Sequence, residues 1–136
     1  MTGKESAIEH LVHTAREDAR LLAVMLFGSQ ARGEGSPRSD VDVCLVLAPL
    51  VAAAQRTGEA AEVCLHYLAT TPEGFDIQVF QLLPLYVRQR VIREGNVLFC
   101  RDEDALYELA YRTAKAWEDF RPRYRYYLDQ VAHGGS

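Results

Sequence analysis

The sequence has few cysteines, and the three that it has are far apart. Cys44, Cys64 and Cys100 form no CxxC motif and no cysteine–histidine pattern within the 136 residues. Small disulfide-stapled domains carry a dense, even set of cysteines, and structural zinc sites carry closely spaced pairs. The cysteine usage therefore argues against both classes and predicts a reducing, cytoplasmic environment.

Long apolar runs are also missing. The longest uninterrupted run is far too short to span a bilayer. Residues 1–20 are charged and polar where a secretion signal would carry an apolar stretch. The sequence therefore predicts neither a membrane segment nor an N-terminal signal.

A surplus of basic charge is absent as well. The 15 Lys and Arg residues are outnumbered by 19 Asp and Glu residues, which gives a formal net charge of −4. A protein that grips nucleic acid mainly by electrostatics needs extra Lys and Arg to neutralise phosphates. We therefore expect no direct nucleic-acid binding and favour a basic protein partner.

The remaining composition is that of an ordinary globular protein. Hydrophobic residues make up 49% of the chain and charged residues 25%, and the length suits one domain with its own core. We predict a single domain over residues 1–131 that ends in a helix, followed by a disordered tail over residues 132–136.

Two apolar runs, separated by a turn-rich segment, form the most informative stretch of the chain. The first, residues 21–27, is followed by a Gly-Ser pair, and the second opens with Asp40 and Asp42 and ends at Leu47. Alternate side chains of a strand point to opposite faces, so the two aspartates share one face and Val41 lies on the other. Such carboxylates repel each other unless a cation lies between them, and Mg²⁺ prefers oxygen ligands.

The Gly-Ser pair, Gly28 and Ser29, supplies a place for phosphate groups. Glycine lets backbone N–H groups approach a phosphate closely, and the start of a following helix favours negative charge. Arg32 in the same loop has two interpretations of equal weight: it contacts a phosphate, or it forms a salt bridge that stabilises the loop. Together with the carboxylates, the loop indicates a metal-bound nucleoside triphosphate.

These residues carry a resemblance to a known family. The string GSQARG at residues 28–33, followed by SDVD at residues 39–42, resembles the signature of the polymerase-beta-type nucleotidyltransferases. The short chain further resembles the minimal nucleotidyltransferases (MNT), which in prokaryotes are often antitoxins paired with a HEPN-domain toxin. The order of elements out to about Tyr127 is also similar to that family.

The resemblance implies an α/β (α+β) fold of the polymerase-beta-like nucleotidyltransferase type, with a small, mixed and mostly antiparallel sheet and helices packed on one face. It also implies a third carboxylate on a later strand, and Asp76 in the alternating stretch FDIQVF is the matching position. The implied catalytic and metal-binding residues are Asp40, Asp42 and Asp76, with two Mg²⁺ ions expected. The nucleotide-binding candidates are Gly28, Ser29 and Arg32.

The implied reaction is transfer of a nucleoside monophosphate, AMP from ATP, to a hydroxyl group of a partner protein. A tyrosine of a HEPN toxin is the leading acceptor, so that AMPylation within a heteromeric toxin–antitoxin complex would inactivate the toxin. Two alternatives stay open: a binding-only antitoxin that occludes its partner, and an aminoglycoside-type small-molecule nucleotidyltransferase. An RNA-modifying nucleotidyltransferase is a third alternative, with less support.

The rest of the chain is mainly helical in pattern. Residues 6–20 form an amphipathic helix, and residues 50–68 are mostly helical with a break at Gly58. Pro84 and Gly95 bound a further helix. Its arginines could contact triphosphate or a partner, but a solvated face is the favoured interpretation: Arg88, Arg90 and Arg93.

The last third of the chain predicts an edge strand and a long helix. The strand covers residues 97–100, and Asp102 is placed to cap the helix that follows. Trp117 is expected in the core, and Pro122 is expected to interrupt the helix. The sequence after it mixes arginine with tyrosine, which favours contact with another protein.

Overall fold

The computed structural model describes residues 3–28, 40–53 and 57–134. The helices are α1 Gly3–Arg16, α2 Pro49–Ala53, α3 Thr57–Thr70, α4 Leu85–Glu94 and α5 Glu103–His133. The strands are β1 Leu21–Phe27, β2 Val41–Leu47, β3 Phe75–Val79 and β4 Asn96–Cys100, and a 3₁₀ turn at Phe80–Leu82 follows β3. None of these helices is long and apolar enough to cross a membrane.

The four strands form one sheet in the order β3-β2-β1-β4. Strand β1 pairs antiparallel with β2 and β4, whereas β2 and β3 are parallel. Parallel neighbours need a crossover connection, and α2 and α3 lie in the one that joins β2 to β3. The predicted mixed, mostly antiparallel sheet is confirmed, with β1 inside it and β4 at an edge.

Helices α1 and α3 cover one face of the sheet. Because side chains alternate along β2, Val41, Val43 and Leu45 all point to this face, where they are buried. They belong to one apolar cluster with Leu11 of α1 and Val63 of α3. Burial of each such side chain stabilises the fold by about 1.5–3 kcal/mol, so this cluster is the main core.

Helices α4 and α5 pack against the opposite face. Cys44 and Val46 of β2 are buried there beside Val91 of α4, and Leu106 of α5 packs against the same cluster. The α/β (α+β) class is confirmed, but the expectation of helices on one face is corrected. After Asp42 the strand is apolar on both faces, so both faces need a cover.

The predicted capping residues hold the helices in place. Helix α4 begins directly after Pro84, and the N–H of Gly95 closes it with a 2.7 Å hydrogen bond to the carbonyl of Val91. The carboxylate of Asp102 accepts a 3.1 Å hydrogen bond from the N–H of Ala105, which confirms it as the N-cap of α5.

Helix α5 passes through Pro122 without a break, so the predicted interruption is wrong. Proline lacks an N–H and leaves the carbonyl of Glu118 without its helical partner, but both residues are exposed and water can bond that carbonyl. Neighbouring rings support this part of the helix, with centroids 5.6–6.2 Å apart. They are Trp117, Phe120 and Tyr124 of α5 and Tyr86 of α4. Trp117 is therefore half-buried in a surface cluster and does not lie in the core.

The end of α5 also differs from the predicted boundary at residue 131. Ala132 and His133 are still helical. Of the tail expected over residues 132–136, the last two residues lie outside the described ranges.

A hydrogen-bonded ion pair between Asp18 and Arg20 lies at the end of the sheet where β1 begins. Arg20 donates two side-chain hydrogen bonds to the carboxylate of Asp18, at 2.8 and 2.9 Å, and the hydroxyl of Tyr67 donates another at 2.9 Å. The bonds from Arg20 lower the pKa of Asp18 from 3.8 to about 2, although burial acts in the opposite direction. Asp18 is therefore held as a charged carboxylate.

Arg101 joins this ion pair to the end of α1. Its guanidinium donates hydrogen bonds of 3.1 Å to the carbonyls of Ala15, Asp18 and Leu21. It also lies 5.2 Å from the ring centre of Phe99. The last carbonyls of a helix have no partner within the helix, and Arg101 satisfies them here.

Candidate active site

Gly28 follows β1 directly beside Asp42 of β2. Phe27, the last residue of β1, is the register partner of Asp42. Gly28 has a φ of 76°, a left-handed conformation that glycine adopts without steric cost. A β-carbon at Gly28 would lie 3.2 Å from Cγ of Asp42 and closer still to its Oδ2. Because Gly28 has no side chain, there is room for the Asp42 carboxylate beside it.

Asp76 lies beside Asp42 on the neighbouring strand. The two are register partners of the parallel strands β2 and β3, so their side chains point to the same face. A backbone hydrogen bond of 2.8 Å from Val41 to the carbonyl of Gly74 holds this register where both strands begin. Asp76 is exposed and accepts a 3.0 Å hydrogen bond from the amide of Gln78. The fold thus brings two of the three predicted carboxylates side by side.

Asp40 precedes β2 by one residue and is exposed. Within residues 3–28, 40–53 and 57–134, no three Asp, Glu, His or Cys side chains converge as a ready metal site. Mg²⁺ is usually held by one or two carboxylates plus substrate phosphates, so the pair Asp42 and Asp76 fits this ion. The remaining ligands would then come from the nucleotide.

Two predicted nucleotide-binding residues, Ser29 and Arg32, lie outside the described residues. The short helix expected to begin at Gln30 lies there as well. Of the predicted phosphate loop, the structure therefore describes Gly28 alone.

A cavity of about 270 Å³ lies beside Asp42, on the face covered by α4. The sheet contributes Phe27, Gly28 and Asp42 to its wall, and α4 contributes Val87, Arg90, Val91 and Glu94. Residues three or four apart share one face of a helix, which explains why these four side chains line the same wall.

For Arg90 the sequence favoured a solvated face and left a triphosphate contact open, and the structure shows an exposed side chain that also lines this cavity. Arg90 follows Val87 by three residues and precedes Glu94 by four, so it lies on the side of α4 that borders the cavity. The cavity thus combines the carboxylate of Asp42 with a guanidinium across from it. This combination suits a polyphosphate that arrives with its own cation.

Two sequence comparisons bear on this site. The family model described as polymerase beta, nucleotidyltransferase matches residues 9–104, a range that holds every predicted site residue. A protein of Methanocaldococcus jannaschii, provisionally named a protein adenylyltransferase, is 33% identical over 107 residues. The match covers 79% of this chain and 78% of that protein.

Solved structures show a similar fold. A chain of a toxin–antitoxin complex with AMP-PNP has a TM-score of 0.66 and 20% identity, and the match covers 94% of this chain and 98% of that one. A chain from the complex of a tri-AMPylated Shewanella oneidensis HEPN toxin with its MNT antitoxin has a TM-score of 0.65 and 16% identity, covering 94% and 95%. These likenesses confirm the predicted fold.

Proposed function

The chain belongs to the polymerase-beta nucleotidyltransferase family, and from this premise we propose that it transfers AMP from ATP to a hydroxyl group of a partner protein. The proposal depends most on the contact between Gly28 and Asp42. A phosphate seated on the glycine turn would lie within reach of a cation held by that carboxylate. The name of the Methanocaldococcus jannaschii relative supports a protein as the acceptor.

The proposed roles follow the arrangement of the site. Gly28 and Ser29 seat the terminal phosphates, with Arg32 as a further contact. The carboxylates of Asp40, Asp42 and Asp76 hold Mg²⁺, with two ions expected. The bound ions supply the positive charge that offsets the phosphates and the charge that develops on the leaving group.

The chemical step is an in-line displacement at the α-phosphorus. The acceptor hydroxyl oxygen forms a bond to that phosphorus while its bond to the oxygen shared with the β-phosphate breaks. Pyrophosphate leaves with the electron pair of the broken bond. Asp76, the exposed carboxylate of the pair, accepts the proton of the hydroxyl group.

The proposed partner is a HEPN toxin, and the proposed acceptor is one of its tyrosines. Structural neighbours are described as toxin–antitoxin complexes, and one of them contains a tri-AMPylated HEPN toxin. The end of α5 supplies a surface for such a partner, because Tyr126, Tyr127, Leu128 and Val131 are 45–67% exposed. Aromatic residues and arginine are enriched in the cores of protein interfaces. A heteromeric complex would therefore form around α5.

The same exposed surface favours a second candidate function, a binding-only antitoxin. Occlusion of a partner requires an interface and no chemistry. In that case the carboxylates Asp42 and Asp76 would be dispensable for neutralisation. The two candidates therefore differ in what a substitution at Asp42 does.

The test uses the chain co-expressed with the protein encoded by the neighbouring gene, for which we propose a HEPN toxin. The purified complex receives Mg²⁺ and ATP labelled at the α-phosphate, and transfer is followed by label and by intact mass. The variants are Asp42→Asn and a matched control, Asp104→Asn, which makes the same change at an exposed residue outside the cavity.

Two results separate the candidates. A mass increase of whole AMP units on the partner, lost in Asp42→Asn and kept in Asp104→Asn, supports protein adenylylation. If no mass is added and the Asp42→Asn variant still neutralises the toxin, the binding-only function replaces it.

A further inference from the structure

Asp42 has a different neighbour on each side of its strand. Strand β3 brings Asp76 to one side, and β1 brings Phe27 and Gly28 to the other. The cavity lined by Arg90 lies over the second side, because its sheet residues are Phe27, Gly28 and Asp42. The site therefore has an acceptor side at Asp76 and a phosphate side at Gly28, and Arg90 is on the phosphate side.

Arg90 differs from the other arginines of α4. Arg90 and Arg93 are both exposed, but the guanidinium of Arg93 lies 3.5 Å from the carboxylate of Glu94. Arg88 is partly buried, and its Nε atom is enclosed. Arg90 makes no hydrogen bond or ion pair with any residue in the described part of the chain. Its guanidinium is thus available to a ligand in the cavity.

The charges around the cavity explain what Arg90 would contribute. Among the described residues that line it, Asp42 and Glu94 are acidic and Arg90 is the basic one. A polyphosphate would be repelled by two carboxylates unless positive charge accompanied it. A guanidinium presents a planar set of N–H donors that matches two phosphate oxygens at once.

We propose that Arg90 binds the β- and γ-phosphates of the nucleotide and holds the pyrophosphate as it leaves. This inference rests on the proposed function and names a contact for its leaving group. When the bond between the α-phosphorus and the bridging oxygen breaks, that oxygen takes the electron pair and the pyrophosphate gains negative charge. Arg90 offsets this charge and exchanges no proton, since the proton of the acceptor leaves on the Asp76 side.

Direct binding tests this contact without an acceptor protein. Calorimetric titrations with Mg²⁺ use three probes: ATP with an α,β-methylene bridge, pyrophosphate and AMP. The variants are Arg90→Gln and the control Arg93→Gln, on the same helix but outside the cavity. Loss of a charge-assisted contact predicts about 10-fold or more weaker binding of the first two probes to Arg90→Gln. AMP binding should stay unchanged, as should all binding to Arg93→Gln.

Each contrary result has a defined meaning. Unchanged binding of the ATP analogue and pyrophosphate by Arg90→Gln overturns this inference and leaves the proposed function standing. An equal loss for AMP would place Arg90 on the nucleoside or α-phosphate, which also overturns it. Equal losses of affinity in Arg90→Gln and Arg93→Gln would show that overall positive charge, and not a contact of Arg90, causes the effect. That result would also overturn the inference. If the unsubstituted protein binds none of the probes, the proposed function fails together with the inference.

A second variant guards against a folding artefact. Arg90→Lys keeps the charge but loses the planar pair of donors. Its affinity for pyrophosphate should lie between those of the unsubstituted protein and Arg90→Gln, with an unchanged melting temperature. An Arg90→Lys protein that binds as weakly as Arg90→Gln while melting at a lower temperature would assign Arg90 a structural role instead.

Discussion

The two ends of the sheet use aspartate in opposite ways. Where β1 begins, Asp18 is 12% exposed and accepts hydrogen bonds from Arg20 and Tyr67. Where β1 ends, Asp76 is exposed and Asp42 borders an open cavity. The first carboxylate is enclosed by its partners, and the other two lie where a ligand can reach them. We call the end with Asp18 the closed end and the end with Asp42 and Asp76 the open end.

This difference separates the energetics of folding from those of binding. Asp18 is kept charged by its partners, so it stabilises the folded state. Asp42 and Asp76 are like charges in register on neighbouring strands and repel each other, which a bound cation would reduce. Substitutions at the two ends should therefore have different consequences.

The largest effect is expected at the open end. Asp42→Asn should lower the rate of AMP transfer on the order of 1,000-fold, as expected for a group that stabilises transition-state charge. Its melting temperature should change little, because Asn keeps the size of Asp and the relieved repulsion with Asp76 offsets a weakened polar contact. Transfer rates and thermal unfolding of the same preparation check both parts. A melting temperature several degrees lower would break the comparison between the two ends.

The next effect is expected at the closed end. Arg101→Ala removes charged hydrogen bonds to several carbonyls, so the free energy of unfolding should fall by about 2–3 kcal/mol. Affinity for Mg²⁺ and the ATP analogue should not change. Arg112→Ala is the control, since its ion pair with Glu108 is on the surface and is worth about 1 kcal/mol or less. Urea titrations compare the two, and equal losses would contradict the role assigned to Arg101.

Asp18 gives a prediction that depends on pH. Its folded pKa is about 2 and its ordinary value is 3.8, so its contribution is complete above pH 4 and lost as the pH falls toward 2. Asp18→Asn should lower the free energy of unfolding by about 1–2 kcal/mol at pH 7, and the difference from the unsubstituted protein should shrink over that range. Urea unfolding of both proteins between pH 2 and 7 measures it. A difference that is independent of pH would show that charge is not the cause.

A loss of stability similar to that of Asp18→Asn is expected at Gly28. Gly28→Ala forces a side chain into a left-handed conformation, which costs about 1–2 kcal/mol, and displaces the Asp42 carboxylate. AMP transfer should fall as well. Gly58→Ala is the matched control: a β-carbon there meets nothing within 4 Å, and helix propensity should raise stability by up to about 1 kcal/mol. Full activity in Gly28→Ala would remove the contact that supports the proposed function.

The sequence predicts the open end of the sheet better than the closed end. The apolar run before Gly28 and the alternation around Asp42 are local patterns, and the strands follow them. Asp76 is predicted through the family resemblance. Arg101 and Tyr67 reach Asp18 from distant parts of the chain, so no local pattern marks their contact. The position of Arg90 depends on how α4 crosses the sheet. The sequence shows its spacing from Val87 and Glu94 along the helix, but not that this side of the helix borders a cavity.

Two predictions failed for different reasons. Proline usually interrupts a helix, but the rings around Pro122 support α5 through it. The family resemblance predicts helices on one face of the sheet, yet α4 and α5 cover the face that carries Asp42 and bury Cys44 and Val46 there. The alternation in β2 already placed those apolar side chains on that face.

The contact between Gly28 and Asp42 has an evolutionary consequence. A lineage that keeps the carboxylate must keep a residue without a β-carbon at position 28, because any larger one displaces it. Once catalysis is no longer selected, both constraints are released together, and the two positions should drift as a pair. Relatives that have become pure binding proteins would then be recognised by a joint change at these sites, while the aromatic surface of α5 persists.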